Sequence, residues 1–179
     1  NDISQYRDVE SLNYYKILLD QGKTKEQALK VLAARSRDNS RTPMQWSDDK
    51  NAGFTEGTPW IEAPENYKEI NAETELKDPD SIYSFYKKLI ALRKEKDIIA
   101  EGTIEFLEKE NADVLAYRRN YQGEELIVLN NLTAENVTIR QQPEWKAYQK
   151  RLGNYEKITA EDGKITLRPF ETIVLDSAL

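Results

Sequence analysis

The second half of the chain changes character in a way that restricts the fold more than any other feature of the sequence. From residue 98 onward it consists of short runs rich in β-branched and aromatic residues, with turn signals such as "EDG" and "YQG" between several of them. Runs of this length and spacing are typical of antiparallel sheets that pack face to face. The pattern therefore predicts a separate antiparallel β-sandwich of about 80 residues, with strands near 102–108, 114–121, 125–132, 136–140, 164–168 and 171–175.

At the start of the chain the apolar residues follow helical spacing instead. They recur at this spacing from Val9 to Leu19, and Gly22 then provides a stop signal. Thr24 and Gln27 have the spacing of a capping box, in which each side chain binds an otherwise unpaired backbone N–H at the start of a helix. A second helix therefore starts there and continues to the arginine-rich segment. The two helices, joined by a short glycine turn, predict a helical hairpin.

A third helix is predicted over "DSIYSFYKKLIALRKEK", residues 80–96. Asp80 or Ser81 can cap its start, because both side chains can accept a hydrogen bond from the first free N–H groups. The apolar residues follow the spacing of one buried helix face, and the residues expected on that face are Ile82, Phe85, Tyr86, Leu89 and Ile90.

Between the hairpin and the third helix, residues 37–80 show no regular periodicity and are punctuated by proline and glycine. A loop of this length is unusual inside a compact domain and is often functional. The sequence leaves open whether its aromatic residues face a ligand or only pin the loop to the scaffold; these are Trp46, Phe54, Trp60 and Tyr67.

The composition excludes several kinds of chemistry. The 179-residue chain has a formal net charge of −6 and no run of basic residues, which disfavours nucleic acid and membranes as partners. It contains no His and no Cys, so Ser/His/Asp and Cys/His sites are impossible. No cofactor or metal site is predicted, because glycine-rich phosphate loops and the commonest metal ligands are missing. Without Cys or a visible signal peptide, we expect a cytoplasmic protein.

The segment "RSRDNSRTPMQW", residues 35–46, is the strongest candidate for a binding site. It places Arg37 and Arg41 four residues apart at the expected end of a helix, with Asp38 between them. A guanidinium presents several donors in a rigid plane and can pair with a carboxylate while it still binds the hydroxyls of a sugar. The same residues would equally form a local network of ion pairs that fixes the path of the chain, and the residue pattern leaves both interpretations open.

A set of longer motifs resembles a known family. The segments "YRDVESLN", "SRDNSRTPMQW", "NAGFTEGTPWI", "NYKEIN", "YKKLIALRK" and "LRPFE" occur in this order. They are similar to motifs of the family 13 glycoside hydrolases, and within them to the exo-acting α-glucosidases, the group of the trehalose-6-phosphate hydrolases and oligo-1,6-glucosidases. The resemblance runs from about residue 5 to the end of the chain.

The resemblance implies a mixed fold, in which a helical C-terminal remnant of a (β/α)8 barrel is followed by an antiparallel β-sandwich, called domain C in this family. Residues 1–97 would be the last barrel segment with its long loop and closing helix, and residues 98–179 would be domain C. The family's catalytic carboxylates lie upstream of the motifs present here. The chain is therefore expected to be a C-terminal fragment that contains no catalytic residue and is inactive alone.

Two substrate-binding residues are carried over from the resemblance. Arg37 matches the arginine of the family's "RDN" triplet, which pairs with a barrel aspartate and contacts the terminal glucose. Glu10 matches the glutamate of the "DVE" motif, which lines the neighbouring subsite on the leaving-group side. Arg41 is expected to be structural and to tie the loop to the helix end.

The implied activity is that of a retaining exo-α-glucosidase that hydrolyses trehalose 6-phosphate to glucose and glucose 6-phosphate, and the alternative substrate is an isomalto-oligosaccharide. A hypothesis of another class makes the β-sandwich a non-catalytic carbohydrate-binding module that stacks sugars on Trp145 and Tyr148, or a purely structural one. If the third helix normally packs against barrel elements, its apolar face would be exposed here and the fragment would self-associate.

Overall fold

The structure is a computed structural model that describes residues 2–177. The chain divides into two compact units, the first ending at Pro79 and the second beginning at Asp80. The first unit is helical and irregular, and the second contains antiparallel sheets. The predicted fold class is therefore confirmed. The helix after Pro79 belongs to the second unit by its contacts, while the predicted family boundary at residues 97 and 98 stays a prediction.

The first unit is built on the predicted helical hairpin. Helix α1 spans Val9–Asp20 and helix α2 spans Lys25–Arg35. The capping box at the start of α2 is present, because the Thr24 hydroxyl accepts from the backbone N–H of Gln27 and the Gln27 side chain accepts from that of Thr24. The hairpin buries Leu18, Ala28 and Leu32.

The long loop contains short 3-10 turns at Arg37–Ser40, Lys50–Gly53 and Glu65–Lys68. It also contains a short helix, α3, at Ala72–Lys77, which the sequence did not predict. The loop aromatics Trp46, Phe54 and Trp60 are each at least half exposed, and Tyr67 is partly buried.

The second turn of this loop has an uncommon backbone. Asn51, Ala52 and Gly53 all have positive φ, with values of 53°, 58° and 65°. The φ of Gly53 favours glycine, and a Cβ atom there would lie 2.5 Å from the hydroxyl oxygen of Ser47, so the Ser47 side chain would have to move. The turn is closed by hydrogen bonds from the N–H groups of Trp46 and Ser47 to the Ala52 carbonyl.

The second unit begins with helices α4 at Ile82–Glu95 and α5 at Ile98–Glu101. The strands form two antiparallel sheets, one with the order β1-β2-β3-β8-β5 and one with the order β4-β7-β6. The strands β5 and β6 were not predicted. The strand bounds are β1 Thr103–Leu107, β2 Val114–Tyr121, β3 Glu124–Asn131, β4 Val137–Arg140, β5 Gln149–Gly153, β6 Thr159–Glu161, β7 Lys164–Leu167 and β8 Thr172–Asp176.

The alternation of side chains along a strand explains the core of this unit. On β3, Ile127 and Leu129 face the smaller sheet and pack with residues of β4 and β7 such as Ile139 and Ile165. Leu126 belongs to a second cluster on the opposite face of the larger sheet, together with residues of both helices and of strands β5 and β8; its buried members are Leu92, Ile98, Leu126, Leu152 and Val174.

The prediction for the buried face of α4 was wrong for four of its five residues. Helix α4 reaches the core through Leu92 and the partly buried Phe85. Phe85 and Leu92 are seven residues apart and therefore lie on the same side of the helix, and this side packs against the sheet. The other residues of the predicted face are exposed, namely Ile82, Tyr86, Leu89 and Ile90.

Candidate functional site

Arg37, the predicted sugar-binding residue, lies in the 3-10 turn that follows α2. Its Nε and Nη2 atoms both donate to Asp8 Oδ1, at 3.2 and 2.8 Å. The same Nη2 lies 3.3 Å from Glu10 Oε2. The Arg37 side chain is nevertheless 61% exposed. The structure thus brings together the two predicted residues, Arg37 and Glu10, and leaves much of the guanidinium on the surface.

Asp8 is the residue that holds Arg37, and the sequence did not single it out. It is the N-cap of α1 and its side chain is only 4% exposed. While Oδ1 accepts from Arg37, Oδ2 accepts from the backbone N–H and the hydroxyl of Ser11, at 3.2 and 2.9 Å. Asp8, Glu10 and Arg37 are called the arginine site below.

The arginine site shifts the pKa of both partners. Burial by itself would raise the pKa of Asp8, but the hydrogen bonds from Arg37 and Ser11 outweigh it and lower the pKa to about 2. The hydrogen bond to Asp8 and the negative charges of Asp8 and Glu10 raise the pKa of Arg37. The pair is therefore fully charged at any pH near neutrality.

Asp38 fastens the turn that carries Arg37 to the start of α1. Its Oδ2 atom accepts from the backbone N–H groups of Arg7 and Asp8, at 2.7 and 3.0 Å. Its backbone N–H donates to the Ser36 hydroxyl, at 3.2 Å. Two chain segments that lie about thirty residues apart in sequence are thereby locked together, and the spacing between Asp8 and Arg37 is fixed by backbone as well as by side chains.

Arg41 contacts the same cluster but in a different way. Its Nη2 atom lies 3.4 Å from Asp8 Oδ1, and its guanidinium lies over the ring of Trp60 at 6.0 Å from the ring centre. These contacts join the helix end to the long loop, as the sequence analysis expected for a structural arginine.

A pocket of about 410 Å³ opens beside the arginine site. Its polar wall combines carboxylate, guanidinium, hydroxyl and phenol groups, which are the groups that bind sugar hydroxyls. The lining residues are Asp8, Glu10, Ser11, Tyr14, Leu32, Arg35, Ser36 and Arg37.

The two aromatic residues of the carbohydrate-binding hypothesis do not form a sugar-stacking surface. Trp145 is only 4% exposed and packs in the core between the sheets, with Ile127 and Leu167 among its neighbours. Tyr148 is half-buried and its hydroxyl donates to Glu125 Oε2 at 2.6 Å. The hypothesis was wrong for Trp145, because the short 3-10 turn at Pro143–Ala147 directs this large apolar ring into the sandwich rather than to solvent.

Among residues 2–177 no three His, Cys, Asp or Glu side chains are grouped so that they could hold a metal ion. No helix in the same range combines the length and apolar character that crossing a membrane would require.

Comparison with known proteins identifies the family of the chain and agrees with its fold. The family model for the catalytic domain of alpha-amylase matches residues 6–102, and the model for the C-terminal domain of the alpha-amylase SusG matches residues 114–174. The first match covers more than half of the chain. The chain therefore belongs to the alpha-amylase family of glycoside hydrolases, which confirms the family resemblance of the sequence motifs.

Similar proteins of known activity in this family are trehalose-6-phosphate hydrolases and oligo-1,6-glucosidases. The chain is 46% identical to the trehalose-6-phosphate hydrolase of Bacillus subtilis, over 97% of this chain and 31% of that protein. It is 42% identical to an oligo-1,6-glucosidase of Parageobacillus thermoglucosidasius, over 96% of this chain and 31% of that protein. The chain thus spans about a third of the length of these relatives.

Solved structures show the same relation. The crystal structure of Bacillus licheniformis trehalose-6-phosphate hydrolase superposes with a TM-score of 0.88 at 45% identity, covering 98% of this chain and 32% of that one. A trehalulose synthase from Pseudomonas mesoacidophila gives a TM-score of 0.82 at 33% identity, with the same coverage.

Proposed function

We propose that the chain is the C-terminal part of a retaining exo-acting α-glucosidase whose substrate is trehalose 6-phosphate. The observation that carries the proposal is the exposed guanidinium of Arg37, which is anchored on buried Asp8 and lies beside Glu10. An arginine that is held on one edge and open on the other can donate to sugar hydroxyls in a fixed direction.

The arginine site supplies binding groups but no reacting groups. In a retaining glycosidase one carboxylate attacks the anomeric carbon and a second carboxylic acid protonates the leaving oxygen; the second then deprotonates the water that releases the sugar. Asp8 cannot serve as either group, because it is buried under Arg37 and Ser11. Arg37 would bind the terminal glucose and Glu10 would border the leaving group, while the reacting carboxylates lie outside this chain.

The alternative substrate is an isomalto-oligosaccharide. Two trehalose-6-phosphate hydrolases are 46% and 44% identical to the chain, and three oligo-1,6-glucosidases are 41–42% identical. The slightly higher sequence identity to the trehalose-6-phosphate hydrolases favours trehalose 6-phosphate as the substrate by a small margin. Both candidate substrates end in an α-linked glucose, so the same role of Arg37 fits either.

We propose a location in the cytoplasm together with this substrate. A sugar phosphate carries about two negative charges at neutral pH and does not cross a lipid bilayer unaided. An enzyme that consumes it must be on the same side of the membrane as its substrate, and we propose that this is the cytoplasmic side. No nucleic acid or membrane partner is proposed.

The proposed function is tested by kinetics on matched substrates. We expect the full-length enzyme that carries this segment to hydrolyse trehalose 6-phosphate with a higher kcat/KM than either trehalose or isomaltose, and to release glucose with retained α configuration. The 179-residue chain alone should show no turnover of nitrophenyl α-glucoside. Turnover by the chain alone would contradict the placement of the carboxylates, and a preference for isomaltose would select the alternative substrate.

We also propose that the isolated chain self-associates through the exposed face of α4. This face combines Ile82, Tyr86, Leu89 and Ile90, and an apolar surface of this kind is a common site of protein association. In the full-length enzyme the same face would be covered by other parts of the barrel.

A further inference from the structure

We infer that Asp8 is a positioning residue for the glucosidase reaction, which aims the guanidinium of Arg37 at the substrate. The inference rests on the proposed function, since it assumes that Arg37 binds the terminal sugar. It assigns a role to a residue of the "RDVE" segment that neither the sequence motifs nor the comparisons distinguish.

The first argument is the geometry of the contact. Nε and Nη2 of Arg37 both point at a single oxygen of Asp8, at 3.2 and 2.8 Å. Two donors on one acceptor fix which edge of the guanidinium faces Asp8 and at what distance. One edge of the group is thereby occupied, and within the described residues Nη1 has no hydrogen-bond partner and remains available to a ligand.

The second argument is that Asp8 itself cannot move. Its other oxygen is bound to the N–H and hydroxyl of Ser11, and its own backbone N–H donates to Asp38. The side chain is 4% exposed, whereas that of Arg37 is 61% exposed. A buried carboxylate that is held by several hydrogen bonds is therefore a fixed support for the exposed guanidinium of Arg37.

The third argument is the contrast with Glu10. Glu10 also contacts Nη2, at 3.3 Å, but its side chain is 75% exposed. An exposed ion pair contributes little to orientation, because solvent screens it and the side chain has many conformations. Glu10 can therefore follow the ligand, while Asp8 sets the direction of Arg37.

The first test uses the full-length enzyme and the substitution Asp8→Asn. Asparagine caps a helix as well as aspartate does, so the start of α1 should survive. The loss of charge should release Arg37 and lower kcat/KM by about 100-fold, the effect of misplacing a binding group by about 1 Å.

In an Arg37→Ala background the same substitution should have no further effect. Asp2→Asn, which replaces another N-cap carboxylate of the same unit, is the matched control and should leave activity unchanged.

The second test separates positioning from folding by chemical rescue. Methylguanidinium at millimolar concentration should raise the kcat/KM of Arg37→Ala about tenfold, because the buried carboxylate of Asp8 still holds a guanidinium in place. The rescue should be lost in the double variant with Asp8→Asn. If Asp8→Asn fails to fold, Asp8→Ser keeps a capping hydroxyl and takes its place.

A third readout needs no activity. In the 179-residue chain, the Nε–H proton of Arg37 should give a slowly exchanging NMR signal that disappears in Asp8→Asn and persists in Asp2→Asn.

These tests distinguish a failure of the proposed function from a failure of the inference about Asp8. If Arg37→Ala keeps the wild-type kcat/KM, the proposed function fails and Asp8 has nothing to orient. If Arg37→Ala is impaired but Asp8→Asn is not, or if rescue is the same with and without the Asp8 carboxylate, the inference about Asp8 is overturned while the proposed function stands.

Discussion

Single residues determine how the arginine site is built. Asp8 caps α1 with Oδ2 and binds Arg37 with Oδ1, so the start of the helix and the direction of the guanidinium depend on one carboxylate. The sequence motifs identified Arg37 and Glu10, whereas Asp8 was missed. The position of this aspartate just before an apolar helical repeat is a helix-capping signal that was available in the sequence. Its pairing with Arg37 was not available, because sequence spacing does not show which distant segments meet.

A residue in the second unit provides a test of the folded state at high pH. Burial and the hydrogen bond to Glu125 raise the pKa of Tyr148 from 10.0 to about 12. A raised pKa means that the stabilisation is complete below pH 10 and is lost as the pH rises towards 12. Tyr148→Phe should lower the free energy of unfolding at neutral pH by roughly 1–2 kcal/mol and should flatten its decrease above pH 10.

Urea unfolding followed by circular dichroism at a series of pH values measures both effects. The control is Tyr86→Phe, which removes an exposed phenol and should leave the free energy of unfolding at neutral pH unchanged. An alkaline decrease of the same steepness in Tyr148→Phe and the wild type would show that the contact between Tyr148 and Glu125 does not stabilise the fold.

At the scale of helices and strands, elements with strong local signals were predictable and elements without them were not. The hairpin was recognised from its capping box and glycine turn, and six strands from their β-branched runs. Helix α3 was missed because "AETELK" is short and has a single large apolar residue, Leu76, which is exposed. Strands β5 and β6 were missed because "QKRLG" and "TAE" are mostly polar and owe their conformation to pairing with β8 and β7.

Helix α4 shows the limit of periodicity. The spacing of its apolar residues correctly predicted a helix with an apolar face. Periodicity does not show which part of the protein covers that face. In this chain the sheet takes Phe85 and Leu92, and much of the predicted face is left in solvent.

The exposed face of α4 can be tested by sedimentation of the chain. We expect the average mass to rise with concentration, and we expect the triple variant Ile82→Gln, Tyr86→Gln, Ile90→Gln to remain monomeric, because burial of apolar area drives such association. The control replaces three other exposed apolar residues, in Met44→Gln, Phe54→Gln, Leu132→Gln. A monomer at all concentrations, or equal dissociation in the control, would contradict self-association through α4.

At the scale of the whole molecule, the motifs predicted the family and the order of the folds, and the family models and the sheets of the second unit confirm both. The division of labour between this chain and the rest of a glucosidase is a proposal of a different kind. It depends on residues that the chain does not contain, so neither its composition nor its contacts could predict the substrate. The chain does contain the guanidinium of Arg37, which is bound to buried Asp8 and exposed to solvent.

Replacing that guanidinium by another cation is the most direct measurement. In the full-length enzyme, Arg37→Lys keeps the charge beside Asp8 but cannot donate to Asp8 and to the sugar in fixed directions at once. We predict that kcat/KM for trehalose 6-phosphate falls between about tenfold and 100-fold, the range for losing a hydrogen bond from a charged group. A kcat/KM within about twofold of the wild type, in a variant of unchanged stability, would mean that Arg37 does not bind the sugar.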